Sequence, residues 1–272
     1  MHRHSLIILC LALLSACSGQ AVRDAGMEHV VVAQQRQALH RQSLDATHAQ
    51  LRQLAAQGDN KYLRYEKAKL LYTVALQEAD WESNKQAQQL FEGLLEDKKF
   101  ILPVYRHAEL RAYYGSLYTL KGRDQPGWWW VNNLTPVGLI RIYAVRKGIS
   151  HLDAAIELDA LHPVARLIRA NTYINLPEMF ASRQQGNDDL LLLYSWLEGE
   201  RDNSRYQTIL QDQTFRLSAY TSIAAAYEQQ GDRVMAMRVY TKITHIAPAS
   251  LEAQLASSIV EQLKAQAREK SL

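Results

Sequence analysis

Between residues 25 and 270 no segment sustains four cycles of apolar/polar alternation. Alternation marks a half-buried strand, whose side chains point to opposite faces with a period of two. The same stretch is built of long runs rich in Ala, Leu, Gln, Glu, Lys and Arg, which lose little on entering a helix. Pro103, Pro136, Pro163 and Pro248 stand where such runs begin. Proline is tolerated in a first helical turn, where the N–H it lacks would have no intrahelical acceptor. The pattern predicts an all-α chain with helices over about 25–56, 60–79, 83–97, 103–121, 136–159, 163–175, 187–198, 205–230, 232–246 and 249–269. Connections are short except around 122–135 and 176–186, so consecutive helices should turn back as antiparallel hairpins. Twelve Gly and six Pro in 272 residues are too few for a turn-rich β protein. At 47% hydrophobic and 22% charged, the chain can bury a core and is no disordered polymer.

One hairpin is written out most clearly in residues 217–248. Tyr220, Ile223, Ala224 and Tyr227 share one face of a first helix, Gly231-Asp232 makes a turn, and Ala236, Tyr240 and Ile243 share a face of a second. Small residues set beside large ones let two helices approach closely, and Pro248 closes the unit. This order resembles a tetratricopeptide repeat (TPR), with Tyr220 where that family often has Trp. Three weaker units are similar to it. One has Leu71, Val74 and Ala75, then Ala87, Phe91 and Leu94. Another has Tyr114, Tyr118 and Gly122, and resumes after an insertion at Gly148, Leu152 and Ala155. The last has Ala170 and Tyr173, a break at Leu176–Phe180, then Leu190, Leu193 and Leu197. The resemblance implies a solenoid of stacked hairpins with degenerate repeats behind a long N-terminal helix. Such solenoids present a curved groove that holds peptides or proteins. An irregular helical bundle would carry the same apolar stripes.

The N-terminus reads separately. Met1-His2-Arg3-His4 is basic, and Leu6–Leu14 is an unbroken apolar run of nine, too short to span a bilayer and right for a signal peptide. Leu14-Ser15-Ala16-Cys17 follows, and small residues ahead of a Cys at that place resemble a bacterial lipobox. The resemblance implies diacylglycerol on the Cys17 thiol, cleavage before it and N-acylation. Ser18 in the next position is similar to lipoproteins sorted to the outer membrane, facing the periplasm. The layout expected is a signal peptide over 1–16, a lipidated N-terminus, tether and helix over 17–58, and a repeat domain over 59–272 with an insertion at 122–135. Cys10 and Cys17 are the two cysteines, so on this reading no thiol remains for catalysis, zinc or a disulfide.

The insertion is the least ordinary stretch. Trp128, Trp129 and Trp130 are adjacent and cannot all face one side of a helix or strand. Either they plug the gap where the insertion leaves the solenoid, or at least one meets solvent, a ligand or a membrane. Asn132 and Asn133 would orient a polar ligand there. Charge is uneven: residues 101–175 hold nine basic and five acidic residues, whereas 176–215 hold three and seven. Arg106, Arg111, Arg141, Arg146, Lys147, Arg166 and Arg169 are candidates for a face that takes carboxylate-bearing partners, since the guanidinium fork matches a carboxylate. A solvated, salt-bridged rim would use the same residues. Asp188-Asp189 reads as a helix start, where acids favour the positive end of the dipole.

No catalytic, phosphate-loop or dinucleotide motif is present, and the histidines, scattered without a repeated spacing, make no metal set. The expectation is therefore a binding protein without enzymatic activity, cofactor or metal, and with a protein or peptide partner in the envelope. A balance of 31 basic to 28 acidic residues gives no nucleic-acid footprint. Residues 107–192 are also similar to TPR-like lipoproteins that accompany TRAP-type transporters. The likeness lies in the aromatic insertion, Ile156-Glu157-Leu158-Asp159, and the Tyr173-to-Pro177 break. It implies a small ligand as an alternative. An envelope enzyme with an unrecognised site is the third class. Cys17→Ser should abolish acylation, because a hydroxyl does not replace the thiol in diacylglyceryl transfer. Radiolabelled palmitate still entering that variant would refute the anchor.

Overall fold

The computed structural model describes residues 27–58, 60–97, 104–124 and 137–269, and among these every regular element is helical. The long helices are α1 (Met27–Ala55), α2 (Lys61–Glu78), α3 (Trp81–Glu96), α4 (Val104–Asp124), α5 (Val137–Leu158), α6 (Pro163–Ile174) and α7 (Arg183–Leu197). They are followed by a short α8 (Gln207–Gln211), then α9 (Gln213–Gln229), α10 (Arg233–Ile246) and α11 (Leu251–Glu269). Neighbouring helices pack in pairs.

Local chemistry sets the starts. Asn60, Asp80, Asp212 and Asp232 each accept the N–H three residues on with their side chains, which satisfies one of the orphan donors of a first turn. His162 does the same through Nδ1 to Ala165, with Pro163 as the first helical residue. The caps also explain departures from the periodicity. The helix expected over 205–230 is broken at Asp212, whose extended backbone and capping side chain start α9 afresh. The helix expected at 187 begins at Arg183 instead, so Asp188 and Asp189 lie in its second turn and Asp189 is buried.

Contacts among the described residues form two compact units, one within 44–186 and one of 27–43 with 187–269. The sequence placed a single domain over 59–272; the division falls inside α1 and inside α7. In the first unit, Tyr65, Tyr72, Phe91 and Tyr113 form an aromatic core in which Phe91 and Tyr113 stack with centroids 5.7 Å apart. Helices α4 and α5 make the most extensive pair, although the insertion separates them in sequence. They cross in backbone contact at two glycines. A Cβ on Gly148 would lie 2.6 Å from the Gly115 carbonyl oxygen, and one on Gly115 would lie 2.8 Å from that of Gly148. Ser116 then ties three helices together: its hydroxyl lies 3.1 Å from that of Tyr72 and accepts from Thr172 at 3.0 Å.

In the second unit, α9 and α10 form the hairpin expected from residues 217–248. Gly231 turns it with φ of 79°, a left-handed conformation that costs a side-chain-bearing residue about 1–2 kcal/mol. Ala224 and Ala236 are buried in it, as are Tyr220, Ile223, Tyr240 and Ile243. The α1 segment of this unit is no free tether, because Val32, Leu39 and Ser43 are buried.

The glycine crossing generates a test. Gly148→Ala must push two backbones apart and should cost about 1–3 kcal/mol, lowering the melting temperature by several degrees. Gly93→Ala, where a Cβ meets nothing within 4 Å, should leave it unchanged or raise it. Equal melting curves for the two would show that the crossing is not tight.

Candidate functional site

The crossing at Gly115 and Gly148 fixes what stands on its rim. On α4, Arg111, Tyr114, Tyr118 and Lys121 are spaced three, four and three residues apart and share one face; on α5, Lys147 and His151 are an i, i+4 pair. With the two backbones touching, the Tyr114 and His151 rings meet edge to face at 4.9 Å, and the Tyr118 ring stacks on His151 at 5.9 Å. The Lys147 ammonium donates to the Tyr118 hydroxyl at 2.8 Å and lies 4.4 Å from its ring centroid. Lys121 approaches the same ring at 5.8 Å and the Trp81 ring at 6.0 Å. From α3, Glu92 accepts from the Tyr114 hydroxyl at 3.0 Å.

Electrostatics follow from this packing. Burial raises the Tyr118 phenol, but the hydrogen bonds to Lys147 and Tyr114, together with the Lys147 charge, outweigh it and hold the group below its ordinary value. Tyr114 is pushed well up, first by burial and then by its bonds to Tyr118 and Glu92. Burial, reinforced by Arg111 and Lys147, holds the His151 imidazole below its ordinary 6.5, so it is neutral at neutral pH. Arg111, Lys121 and Lys147 thus share a rim with the Trp81, Tyr118 and His151 rings and the Glu92 carboxylate, above a Tyr114 ring that is itself buried. Such a surface attracts acidic groups through its ammonium and guanidinium charges, and rings through its aromatic faces.

The expected basic residues are distributed differently. Arg111 and Lys147 belong to this rim. Arg106 stacks over the Tyr62 ring at 5.8 Å, Arg141 is half-buried, and Arg146 is exposed. Arg166 donates to the Ala160 carbonyl at 2.7 Å. Arg169 does not line a binding face: it is 6% exposed and donates to Asp153 at 3.0 Å, a carboxylate that also accepts from Tyr173 at 2.7 Å. Cys17, Trp128, Trp129, Trp130, Asn132 and Asn133 lie outside the described residues. Sequence reasoning assigned Tyr114 and Tyr118 to repeat packing and passed over Lys121 and His151. The available signal was the helical spacing of Arg111, Tyr114, Tyr118 and Lys121.

Two other features are chemically distinct. In the second unit Glu198 accepts from Tyr220 at 2.8 Å and from Lys242 at 2.7 Å, and burial followed by that carboxylate pushes the Tyr220 phenol up to about 12. A dent in the same unit, lined by Leu190, Leu191, Ile223 and Tyr227 among others, has a volume of about 10 Å³, enough for one water. On α5, Leu139, Ile140 and Tyr143 are 59%, 48% and 67% exposed. Among the described residues no group of three or more His, Cys, Asp or Glu is placed to hold a metal ion, and no helix is long and apolar enough to cross a membrane. No protein family, curated protein or solved structure matches this chain.

The depressed His151 predicts a pH effect of definite sign. The unfolded imidazole titrates near 6.5 and the folded one below that. Its contribution to stability is therefore complete above 6.5 and is lost as pH falls through the folded value. Between about pH 7 and pH 5 the melting temperature of the wild type should fall more steeply than that of His151→Gln. Parallel slopes in circular dichroism melts would count against a buried neutral imidazole.

Proposed function

We propose that the chain is an envelope-anchored lipoprotein, facing the periplasm from the outer membrane, whose TPR-like scaffold holds a protein partner by an acidic segment. The anchor rests on Leu6–Leu14 and the Leu14-to-Cys17 phrase. Two or three acyl chains bind a bilayer durably where one binds marginally. The TPR-like reading rests on the α9–α10 hairpin, with its small residues Ala224 and Ala236 buried and its turn at Gly231. Stacked hairpins of that kind expose long faces rather than enclosing a chamber, and long faces suit proteins.

The observation that carries the reading is the rim over α3, α4 and α5. Lys121 and Lys147 converge on the Tyr118 ring, Arg111 stands three residues before Tyr114, and Glu92 is the one acid bonded into the group. Half-exposed tyrosine and tryptophan beside cations combine contact area with charge at low entropic cost, the make-up of interface hot spots.

Crosslinking and pull-down from detergent-solubilised envelopes tests this. The wild type should retain a defined protein that Arg111→Glu with Lys121→Glu loses by about tenfold or more, the loss expected at a hot spot. Lys264→Glu, at an exposed site on α11, should retain it. Circular dichroism should show the same helix content in all three. Equal capture by the rim variant and the wild type would refute binding at the rim.

A further inference from the structure

We propose that the first two turns of α5 are a membrane-contacting face that docks on an anionic phospholipid surface. Leu139, Tyr143 and Arg146 follow one another at i, i+4 and i+7 on one side of the helix, with Ile140 beside them, and all four are exposed. Three large apolar side chains in water within five residues form a patch, not scattered exposure. The other exposed apolar residues among those described are isolated, such as Tyr62, Met179 and Val234, or sit beside acids, as Leu158 does with Glu157. Nothing in the α4–α5 crossing covers the patch, because Gly115, Gly122, Val145 and Gly148 meet on a different side of α5.

Charge selects the occupant. From Gln125 to Leu152 the sequence contains no Asp or Glu, and it carries Arg141, Arg146 and Lys147. An acid-free stretch with exposed apolar side chains at one end and a basic residue one turn further on is suited to phosphate headgroups above acyl chains. Leu139 and Ile140 would enter the acyl boundary, Tyr143 would sit at headgroup level as aromatic residues do at both interfaces, and Arg146 would meet phosphate. The inference deepens the envelope reading, which supplies the bilayer, but the face itself requires no acyl chain.

The test uses the full chain carrying Cys10→Ser and Cys17→Ser, so that no lipid can be attached and one new thiol can be labelled. Leu139→Cys carries an environment-sensitive nitrobenzoxadiazole label, and Ser257→Cys, exposed on α11, is the control. On vesicles of phosphatidylglycerol and phosphatidylcholine the label at 139 should shift to the blue and be quenched by spin-labelled acyl chains, while the label at 257 should not. In unlabelled chains, Tyr143→Ser should weaken vesicle binding by about tenfold or more, and Arg146→Ser by about fivefold on anionic vesicles alone. A label at 139 that stays unshifted on vesicles holding the chain overturns the proposal. So does a shift that requires an added envelope protein and no lipid, which would make the face a protein interface. Failure of the anchor reading is seen separately, as palmitate missing from the chain with native cysteines.

Discussion

Two glycines, Gly115 and Gly148, let α4 and α5 touch backbone to backbone, and much of the first unit is positioned by that contact. Helices normally pack with axes 8–10 Å apart because side chains stand between them. Removing the side chain at the crossing on both partners allows a closer approach. Gly122 extends the same seam toward Val145. The close crossing also explains how two helices separated by an insertion remain the most extensive pair in the unit. The entropy of closing a longer loop grows slowly, by about 0.6 kcal/mol per doubling, so the contact need not be strong to offset it.

The rim follows from the same geometry. Because Gly115 faces Gly148, the residues flanking each glycine are forced into register. Tyr114 meets His151, and Tyr118 meets Lys147. The phenol below its ordinary value, the phenol above it and the neutral imidazole are three results of one arrangement. A cation is placed against one hydroxyl, a carboxylate against the next, and burial acts on all three. Polar tethers then make the register unique. Ser116 links Tyr72 and Thr172, and Asn84, fully buried, donates to the Leu117 carbonyl at 3.2 Å. Apolar packing alone would tolerate a shift of one turn; buried groups that must find partners do not.

The second unit solves a similar problem with alanine in place of glycine. Ala224 and Ala236 are buried in the α9–α10 pair, while the Tyr220 and Tyr240 hydroxyls donate to Glu198 and Glu228. Each tyrosine thereby buries its ring and satisfies its polar end, which is why large aromatic residues are affordable in a thin helical layer.

The helices were legible because their causes are local: absent alternation, capping Asn and Asp, and a proline at the first turn each act within four residues. The 217–248 hairpin was legible for the same reason, since its turn, small residues and large residues are all near neighbours. Asp212 broke a predicted helix because its side chain and backbone favoured a cap, a competition that apolar periodicity does not register. The rim was not legible. Tyr114 and Tyr118 lie on a helical stripe that reads as packing, and His151 and Lys147 stand about thirty residues further along the chain. Nor did composition foretell that Arg169 would be buried against Asp153 while Arg146 stayed in water, since two arginines on amphipathic helices look alike until their neighbours are placed. Sequence determined which segments are helices and many of their starts, because those choices rest on bonds a few residues long. Tertiary structure decided which charges stay in water and which face each other, because that depends on how closely two distant backbones can approach.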